Sequence, residues 1–128
     1  MIGLVVVGTD RVAEALLISL QMNTCKQEQV CAVPLSFGED ADEQRAVILK
    51  AVASVDTGDG VLVLTDSNMT PAGYLMLSIL DKANMSAVSG VNLTMLMKVV
   101  EKRSQLSLDE LSDFARDEGR KGITRRDA

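Results

Sequence analysis

The sequence predicts an α/β fold in which a parallel sheet carries helices on both faces. Three observations support this: strand-like runs alternate with helix-like runs, the strand-like runs are almost continuously apolar, and short polar turns separate them. Continuous apolar runs are typical of strands that are covered on both faces. Their alternation with helices favours right-handed crossovers and a doubly wound, three-layer sandwich. With 128 residues, the chain is expected to form one domain spanning residues 1–128.

The strand and helix signals follow one another at regular spacing along the whole chain. The strands are predicted at Ile2–Val7, Gln29–Leu35, Val61–Thr65 and Met85–Ser89. Pro34 places the second strand toward an edge of the sheet, because proline cannot donate a ladder hydrogen bond. Apolar side chains at helical spacing predict a helix after each strand. The buried stripes are expected to be Val12, Ala13, Leu16, Leu17 and Leu20; Ile48, Leu49, Val52 and Val55; Leu75, Met76, Ile79 and Leu80; and Leu93, Leu96, Met97 and Val100.

Polar residues at the helix starts support these boundaries. The predicted caps are Asp40 with Glu43, Thr70 before Pro71, Asn92, and Ser107 with Glu110. Ser107 opens a last helix that is expected to run to about Gly119. The basic tail after it, Gly122–Ala128, is either disordered or adds a fifth, short edge strand.

The composition argues against several classes of function. A net charge of −5 and an aromatic content of 2% do not suit a nucleic-acid surface, which depends on clustered Lys and Arg and on stacking side chains. Cys25 and Cys31 stand alone in a chain with no histidine, so we expect no metal site and no cofactor. No apolar run reaches the roughly 20 residues of a membrane span, and the opening MIGLVVVG lacks the form of a signal peptide. These features favour a cytoplasmic protein.

Three polar loops form the candidate site. In a doubly wound sheet, ligands bind at the carboxyl ends of the strands, near the point where the strand order changes direction. The loops after the first, third and fourth predicted strands are Gly8–Arg11, Asp66–Thr70 and Gly90–Asn92. The candidate binding residues in them are Gly8, Thr9, Asp10, Asp66, Ser67, Asn68, Thr70 and Asn92.

The residues alone leave two interpretations of these loops open. Thr9 is either a phosphoacceptor or a turn residue, and Asp66 is either a loop-capping carboxylate or, with Asp10, part of a Mg²⁺ site. If the two carboxylates lay close together and unpaired, one of them would have a raised pKa. Asp10 and Arg11 also suit a solvated charge pair.

Several segments resemble one known family in order and spacing. They are IGLVVVG followed by VAEALL, GEDADEQ, GDGVLVLTD, Thr70-Pro71, SGVNLTML, and LSLDEL with the later GRKGI. Together they cover nearly the whole chain and are similar to the enzyme IIA domain of the mannose family of the bacterial phosphoenolpyruvate:sugar phosphotransferase system. The resemblance implies a flavodoxin-like fold and a homodimer, in which the last strand pairs with the neighbouring subunit's sheet.

The resemblance fails at the residue that gives this family its chemistry. Its members relay a phosphoryl group through one histidine at the end of the first strand, and this chain has no histidine. Alignment without a gap places Thr9 in that position, whereas a one-residue deletion before the first helix places Asp10 there. Asp66 matches the aspartate that orients the histidine ring. The resemblance therefore implies a vestigial site with no catalytic residue, and whether the chain is an enzyme stays open.

These observations favour an enzyme IIA-like protein that binds or regulates other proteins of sugar uptake without relaying phosphate. The expected partners are a phosphocarrier protein, an enzyme IIB domain or a regulator. Two alternatives remain. One is an aspartyl-phosphate acceptor that uses Asp10 or Asp66, and the other is a purely structural dimeric subunit of a complex.

Overall fold

A computed structural model describes all 128 residues of the chain. Its single sheet has four parallel strands in the order β2-β1-β3-β4. The strands are β1 (Gly3–Thr9), β2 (Val30–Leu35), β3 (Val61–Thr65) and β4 (Met85–Ser89). The helices are α1 (Val12–Asn23), α2 (Ala41–Val55), α3 (Pro71–Leu77), α4 (Leu93–Lys102) and α5 (Leu108–Lys121). The predicted doubly wound α/β fold is confirmed, and Pro34 lies on an edge strand as expected.

Two apolar layers cover the two faces of the sheet. On one face, alternate side chains of the strands pack against α2 and α3, around Val5, Val63 and Ile48. On the other face they pack against α1, α4 and α5, around Val6, Leu64 and Leu96. The central strands β1 and β3 are buried on both sides, which is why their sequences are continuously apolar.

The basic tail adds no fifth strand to the sheet. α5 ends at Lys121, and residues 123–128 have no regular secondary structure. Ile123 is 78% exposed, and the one ion pair in the tail joins Arg125 to Asp127. The charged side chains of the tail are thus solvated, and both edges of the sheet, β2 and β4, stay open in the single chain.

Two of the predicted apolar stripes differ from the buried faces of their helices. In α1 only Ala13 and Leu20 are fully buried, and Val12 is 44% exposed, because α1 lies over the edge strand β2 and has no neighbour beyond it. In α4 the buried side chains are Met95, Leu96 and Val99, whereas Leu93, Met97 and Val100 are half-buried. Apolar residues occur on more than one side of α4, so the sequence did not determine which side faces the core.

Arg103 is a buried charge that the sequence did not single out. It ends α4 and is 2% exposed. Its guanidinium donates hydrogen bonds to the carbonyl oxygens of Ile2, Glu28 and Gln29 and to the side chain of Gln27. Burial lowers the pKa of Arg103, and the nearby Glu28 charge offsets part of this shift. The guanidinium still carries its charge at neutral pH, because the ordinary pKa of arginine is far higher. Arg103 thereby ties α4 to the amino ends of β1 and β2.

Candidate functional site

The loops after β1 and β3 meet where the chain changes direction across the sheet. β1 and β3 are neighbouring central strands. From the carboxyl end of β1 the chain enters α1 on one face, and from the end of β3 it enters α3 on the other face. This divergence opens a cleft between the two strand ends, which is the usual place for a site in such a fold. Thr9 and Asp66 lie at that point.

The Asp66 carboxylate collects four hydrogen bonds at the strand ends. The backbone N–H and the hydroxyl of Thr9 both donate to its Oδ2, each at 2.8 Å. The backbone N–H of Ser67 donates to its Oδ1 at 2.8 Å, and the Thr70 hydroxyl donates to the same atom at 2.6 Å. Each oxygen therefore accepts two hydrogen bonds, and the side chain joins the end of β1 to the loop after β3.

These contacts determine the charge of Asp66. Burial alone raises the pKa of its carboxyl, but the hydrogen bonds from Thr70, Thr9 and Ser67 together outweigh burial and hold the pKa below its usual value. A raised pKa was expected only if Asp10 and Asp66 lay close together without partners. Asp66 has partners instead, so it is an ionised, loop-capping carboxylate at neutral pH.

Thr70 has a different role from the predicted helix cap. It occupies the N-cap position of α3, and Pro71 follows at the first helical position, as predicted. The Thr70 side chain makes no capping hydrogen bond, however, because its hydroxyl is turned toward Asp66. As a cap, the hydroxyl would accept a backbone N–H, whereas here it donates to a charged carboxylate, and this charge-assisted bond is stronger than a neutral capping bond.

Gly8 and Asp10 shape the passage from β1 into α1, although Gly8 and Thr9 belong to β1 itself and not to the loop predicted at Gly8–Arg11. A Cβ atom at Gly8 would lie 3.2 Å from the Ala13 nitrogen and 3.3 Å from the Val12 Cβ, so the glycine allows close approach of the helix start. Asp10 has a φ of 52°, and its N–H donates to the Leu35 carbonyl at 2.9 Å. Its carboxylate is exposed and has no hydrogen-bond or ion-pair partner. The charge pair expected with Arg11 does not form.

The loop after β3 is held by its own side chains and by a glycine of α3. The Ser67 hydroxyl accepts a hydrogen bond from the Met69 N–H at 3.0 Å, whereas Asn68 is exposed. A Cβ atom at Gly73 would lie 2.5 Å from the Ser67 carbonyl oxygen and 2.6 Å from the Asn68 Cα. Gly73 was absent from the predicted site, although only a residue without a side chain allows this loop to pack on α3.

Asn92 is a helix cap whose side chain faces α5. Its Oδ1 accepts a hydrogen bond from the Met95 N–H at 2.9 Å, which confirms the predicted cap of α4. Its Nδ2 donates to the Gly119 carbonyl at 3.1 Å. None of its hydrogen bonds reaches the cluster around Asp66. The Thr65 hydroxyl instead links the ends of β3 and β4 by donating to the Ser89 hydroxyl at 2.9 Å.

No metal-binding group of His, Cys, Asp or Glu side chains is present in the structure. None of the helices is both long and apolar enough to span a membrane.

Comparison with known proteins identifies the family. The family model EIIA-man, described as the PTS system fructose IIA component, matches residues 3–116. The chain belongs to this family. It is 32% identical over 122 residues to the PTS system mannose-specific EIIAB component of Escherichia coli strain K12, and also to that of Shigella flexneri. The match covers 93% of this chain but only 38% of each relative, so this chain corresponds to a part of those longer proteins.

Solved enzyme IIA structures share the whole fold. The phosphotransferase system component EIIA from Streptococcus agalactiae superposes with a TM-score of 0.88 at 24% identity, covering 98% of this chain and 97% of the other. The mannose/sorbose-specific IIA subunit from Enterococcus faecalis gives a TM-score of 0.87 at 20% identity, covering 99% and 96%. The architecture described above is therefore shared with solved enzyme IIA structures.

Proposed function

We propose that this chain is an enzyme IIA-like component of the sugar phosphotransferase system that binds other proteins without relaying phosphate. Family membership supports the transport system, and the cluster around Asp66 supports the loss of the relay. The most important observation is that the Thr9 hydroxyl donates its hydrogen bond to Asp66, in a chain that has no histidine. The proposed binding surface is the carboxyl-end face of the sheet, centred on Thr9, Asp10 and Asp66.

The chemistry of this cluster supports a binding role. Imidazole is a nucleophile at neutral pH, whereas a threonine hydroxyl must first transfer its proton to a base. The acceptor of the Thr9 proton is Asp66, and its lowered pKa makes this carboxylate a poor general base. Thr9 is thus held by hydrogen bonds that stabilise the turn and do not activate its oxygen.

Exposed apolar side chains in the loops at the carboxyl ends of β2 and β3 support a protein partner. Phe37 follows the end of β2 and is 78% exposed, and Met69 follows β3 and is 79% exposed. Large exposed apolar side chains in the loops at one end of a sheet suit a surface that another protein covers. Both residues belong to loops at the carboxyl ends of strands, as Asp66 does.

The proposal extends to the assembly and its location. We assign the chain to a homodimer in the cytoplasm that binds a phosphocarrier protein or an enzyme IIB domain of its own transport system. The curated relatives are mannose-specific EIIAB components, which supports a partner from the same system. The tail residues form no strand within the single chain, so the pairing of this segment with a neighbour stays a prediction.

A binding experiment tests the docking role. The chain is titrated with the general phosphocarrier and with enzyme IIB domains, each in its phosphorylated and unphosphorylated form. We expect saturable binding to at least one of them, and Met69→Asp should weaken it at least tenfold. Leu77→Asp is the matched control, because Leu77 is 77% exposed at the other end of α3 and should leave the affinity unchanged. Absence of binding, or equal affinity in both variants, would refute the docking role.

One observation favours a second candidate function. Asp10 carries an exposed carboxylate with no partner, so an aspartyl-phosphate acceptor would use Asp10 in preference to the fully hydrogen-bonded Asp66. Incubation with acetyl phosphate and Mg²⁺ would then add a phosphoryl group to the wild-type protein. The Asp10→Asn variant would stay unmodified, whereas the Asp66→Asn variant would still gain the group. A structural subunit would give neither this adduct nor binding to phosphotransferase proteins.

A further inference from the structure

The largest cavity in the structure lies at the amino ends of the strands, at the opposite end of the sheet from Asp66. Its volume is about 440 Å³, within the range of roughly 300–1,000 Å³ that is typical of small-molecule sites. It lies between the loop that joins α4 to α5 and the segments that lead into β1 and β3. Because β1 is seven residues long, the cavity is roughly 20 Å from the Asp66 cluster and separate from the proposed docking surface.

Contacts within the chain hold the walls of this cavity in place. Ile2 and Arg103 line it and are almost fully buried. The N–H groups of Gln105 and Leu106 both donate to the Lys102 carbonyl, at 2.9 and 3.2 Å, which fixes the loop between α4 and α5. A cavity with fixed walls binds a ligand with a smaller loss of conformational entropy than a flexible one.

Polar side chains with unused hydrogen-bonding capacity surround the cavity. The Ser104 hydroxyl and the Gln105 amide make no hydrogen bond within the chain. The Ser107 hydroxyl accepts the Glu110 N–H at 3.2 Å as the cap of α5, and its own proton stays available for donation. The Oδ1 atom of Asp59 accepts no hydrogen bond. The cavity therefore offers both donors and acceptors to a ligand.

The charges around the cavity are compensated within the chain. The Met1 ammonium forms an ion pair with the other oxygen of Asp59, and the Arg103 guanidinium donates to backbone carbonyls. The first turn of α5, which begins at the cavity, carries Asp109 and Glu110. These carboxylates disfavour an anion, whereas the ammonium and the guanidinium disfavour a cation. A neutral polar ligand meets neither penalty.

The remaining lining excludes a flat aromatic ligand. The cavity has no Phe, Tyr or Trp side chain against which a planar base could stack. Its apolar part is formed in the main by Leu106 and Leu108, which are half-buried and suit the C–H groups of an aliphatic ring. Hydroxyl groups both donate and accept, so a ring with several hydroxyls matches the mixed polar groups better than a ligand of one kind.

We infer that this cavity binds a neutral polyhydroxy compound of the size of a mono- or disaccharide. Asp59 Oδ1 accepts from ligand hydroxyls, the Ser104 hydroxyl and the Gln105 amide donate to ligand oxygens, and Leu106 packs against the ring. This inference goes beyond the proposed function and does not depend on it, because the two sites lie at opposite ends of the sheet.

NMR titration of the ¹⁵N-labelled protein tests the site. D-glucose and maltose are the probes, and inorganic phosphate is the anionic comparison. We expect saturable shifts of the Ser104, Gln105 and Leu108 amide signals with at least one sugar, with a dissociation constant on the order of 1 mM. The absence of saturable shifts up to about 50 mM of either sugar would refute the inference. Shifts centred on Thr9 and Asp66, or phosphate binding at least as tight as sugar binding, would also refute it.

Matched variants test the assigned contacts. Asp59→Ala should weaken sugar binding at least tenfold, and Gln105→Ala, at an exposed loop position, should weaken it at least threefold. Asp81→Ala is the control, because Asp81 is an exposed carboxylate outside the cavity and forms no ion pair. The spectra without ligand verify that each variant is folded. Wild-type affinity in Gln105→Ala, or an equal loss in Asp81→Ala, would contradict the site.

Discussion

Asp66 connects two loops that come from different parts of the chain. Its hydrogen bonds should therefore contribute measurably to the free energy of unfolding. Asp66→Asn places an NH₂ group among donors from Thr9 and Thr70 and removes the negative charge that they bind. We expect the free energy of unfolding at neutral pH to fall by about 1–3 kcal/mol. Asp10→Asn is the control and should change it by less than about 0.5 kcal/mol, because the Asp10 carboxylate has no partner. Urea unfolding measures both, and equal effects would contradict the assigned contacts.

The effect of Asp66 on stability should depend on pH with a defined sign. The pKa of Asp66 is lowered in the folded protein, so the ionised carboxylate stabilises the fold above the unfolded pKa of about 3.9. This contribution is lost as the pH falls through the folded pKa. The difference in unfolding free energy between the wild-type protein and Asp66→Asn should therefore narrow on acidification from about pH 6 to about pH 3. A constant difference over that range would contradict the lowered pKa.

The positions of site residues were predictable from the sequence where the end of a strand fixes them. The apolar runs of β1 and β3 place Thr9 and Asp66 at neighbouring strand ends, and they do contact one another. The role of Thr70 was not predictable from the sequence. Its hydroxyl can either accept a backbone N–H as the cap of α3 or turn away from the helix and donate to Asp66. That choice depends on the path of the loop, and the path depends in turn on the close approach at Gly73.

At the level of secondary-structure elements, Arg103 should be the most sensitive polar position. Arg103→Met keeps the aliphatic stem but leaves buried carbonyls at the amino ends of β1 and β2 without their donor. We expect the free energy of unfolding to fall by about 3 kcal/mol or more. Arg120→Met, at an exposed position on α5, is the control and should have little effect. A small loss for Arg103→Met would show that the guanidinium does not clamp α4.

Asn92 should also act through the packing of helices. Asn92→Ala removes the cap of α4 and the hydrogen bond to the Gly119 carbonyl of α5, and should lower stability by about 1–2 kcal/mol. Asn68→Ala changes an exposed amide and serves as the comparison. Thermal unfolding of both variants separates a structural Asn92 from one that acts only in binding. An Asn92→Ala protein of wild-type stability would contradict the structural role.

The strands were easier to predict from the sequence than the buried faces of the helices. β3 and β4 have the predicted bounds, and Asp40 and Ser107 cap their helices, because both features depend on short segments of chain. The reciprocal bond forms between Glu110 and Ser107, but the one expected between Glu43 and Asp40 does not. The prediction of the buried face of α4 was wrong in part. Several sides of this helix are apolar, and contacts with α1 and α5, which are distant in sequence, determine which side is buried. Whether the tail forms a strand likewise depends on contacts with other parts of the molecule, and not on the tail sequence alone.

For the whole molecule, our proposal separates the fold of the family from its chemistry. The fold matches that of a solved enzyme IIA structure over nearly the whole chain, and the chain has no histidine. A fold can persist while its site changes, so architecture alone does not assign the activity. The exposed apolar side chains in the loops after β2 and β3 are the surface that the proposed binding role would use.

Intact-mass analysis after incubation with phosphoenolpyruvate, enzyme I and the general phosphocarrier tests the central claim most directly. A histidine-bearing mannose-family enzyme IIA in the same mixture is the positive control, and spectra at neutral and acid pH detect both acid-labile and acid-stable adducts. We expect this chain to keep its unmodified mass while the control gains one phosphoryl group. A stoichiometric phosphoryl adduct on this chain, at Thr9, Asp10 or any other residue, would contradict the account.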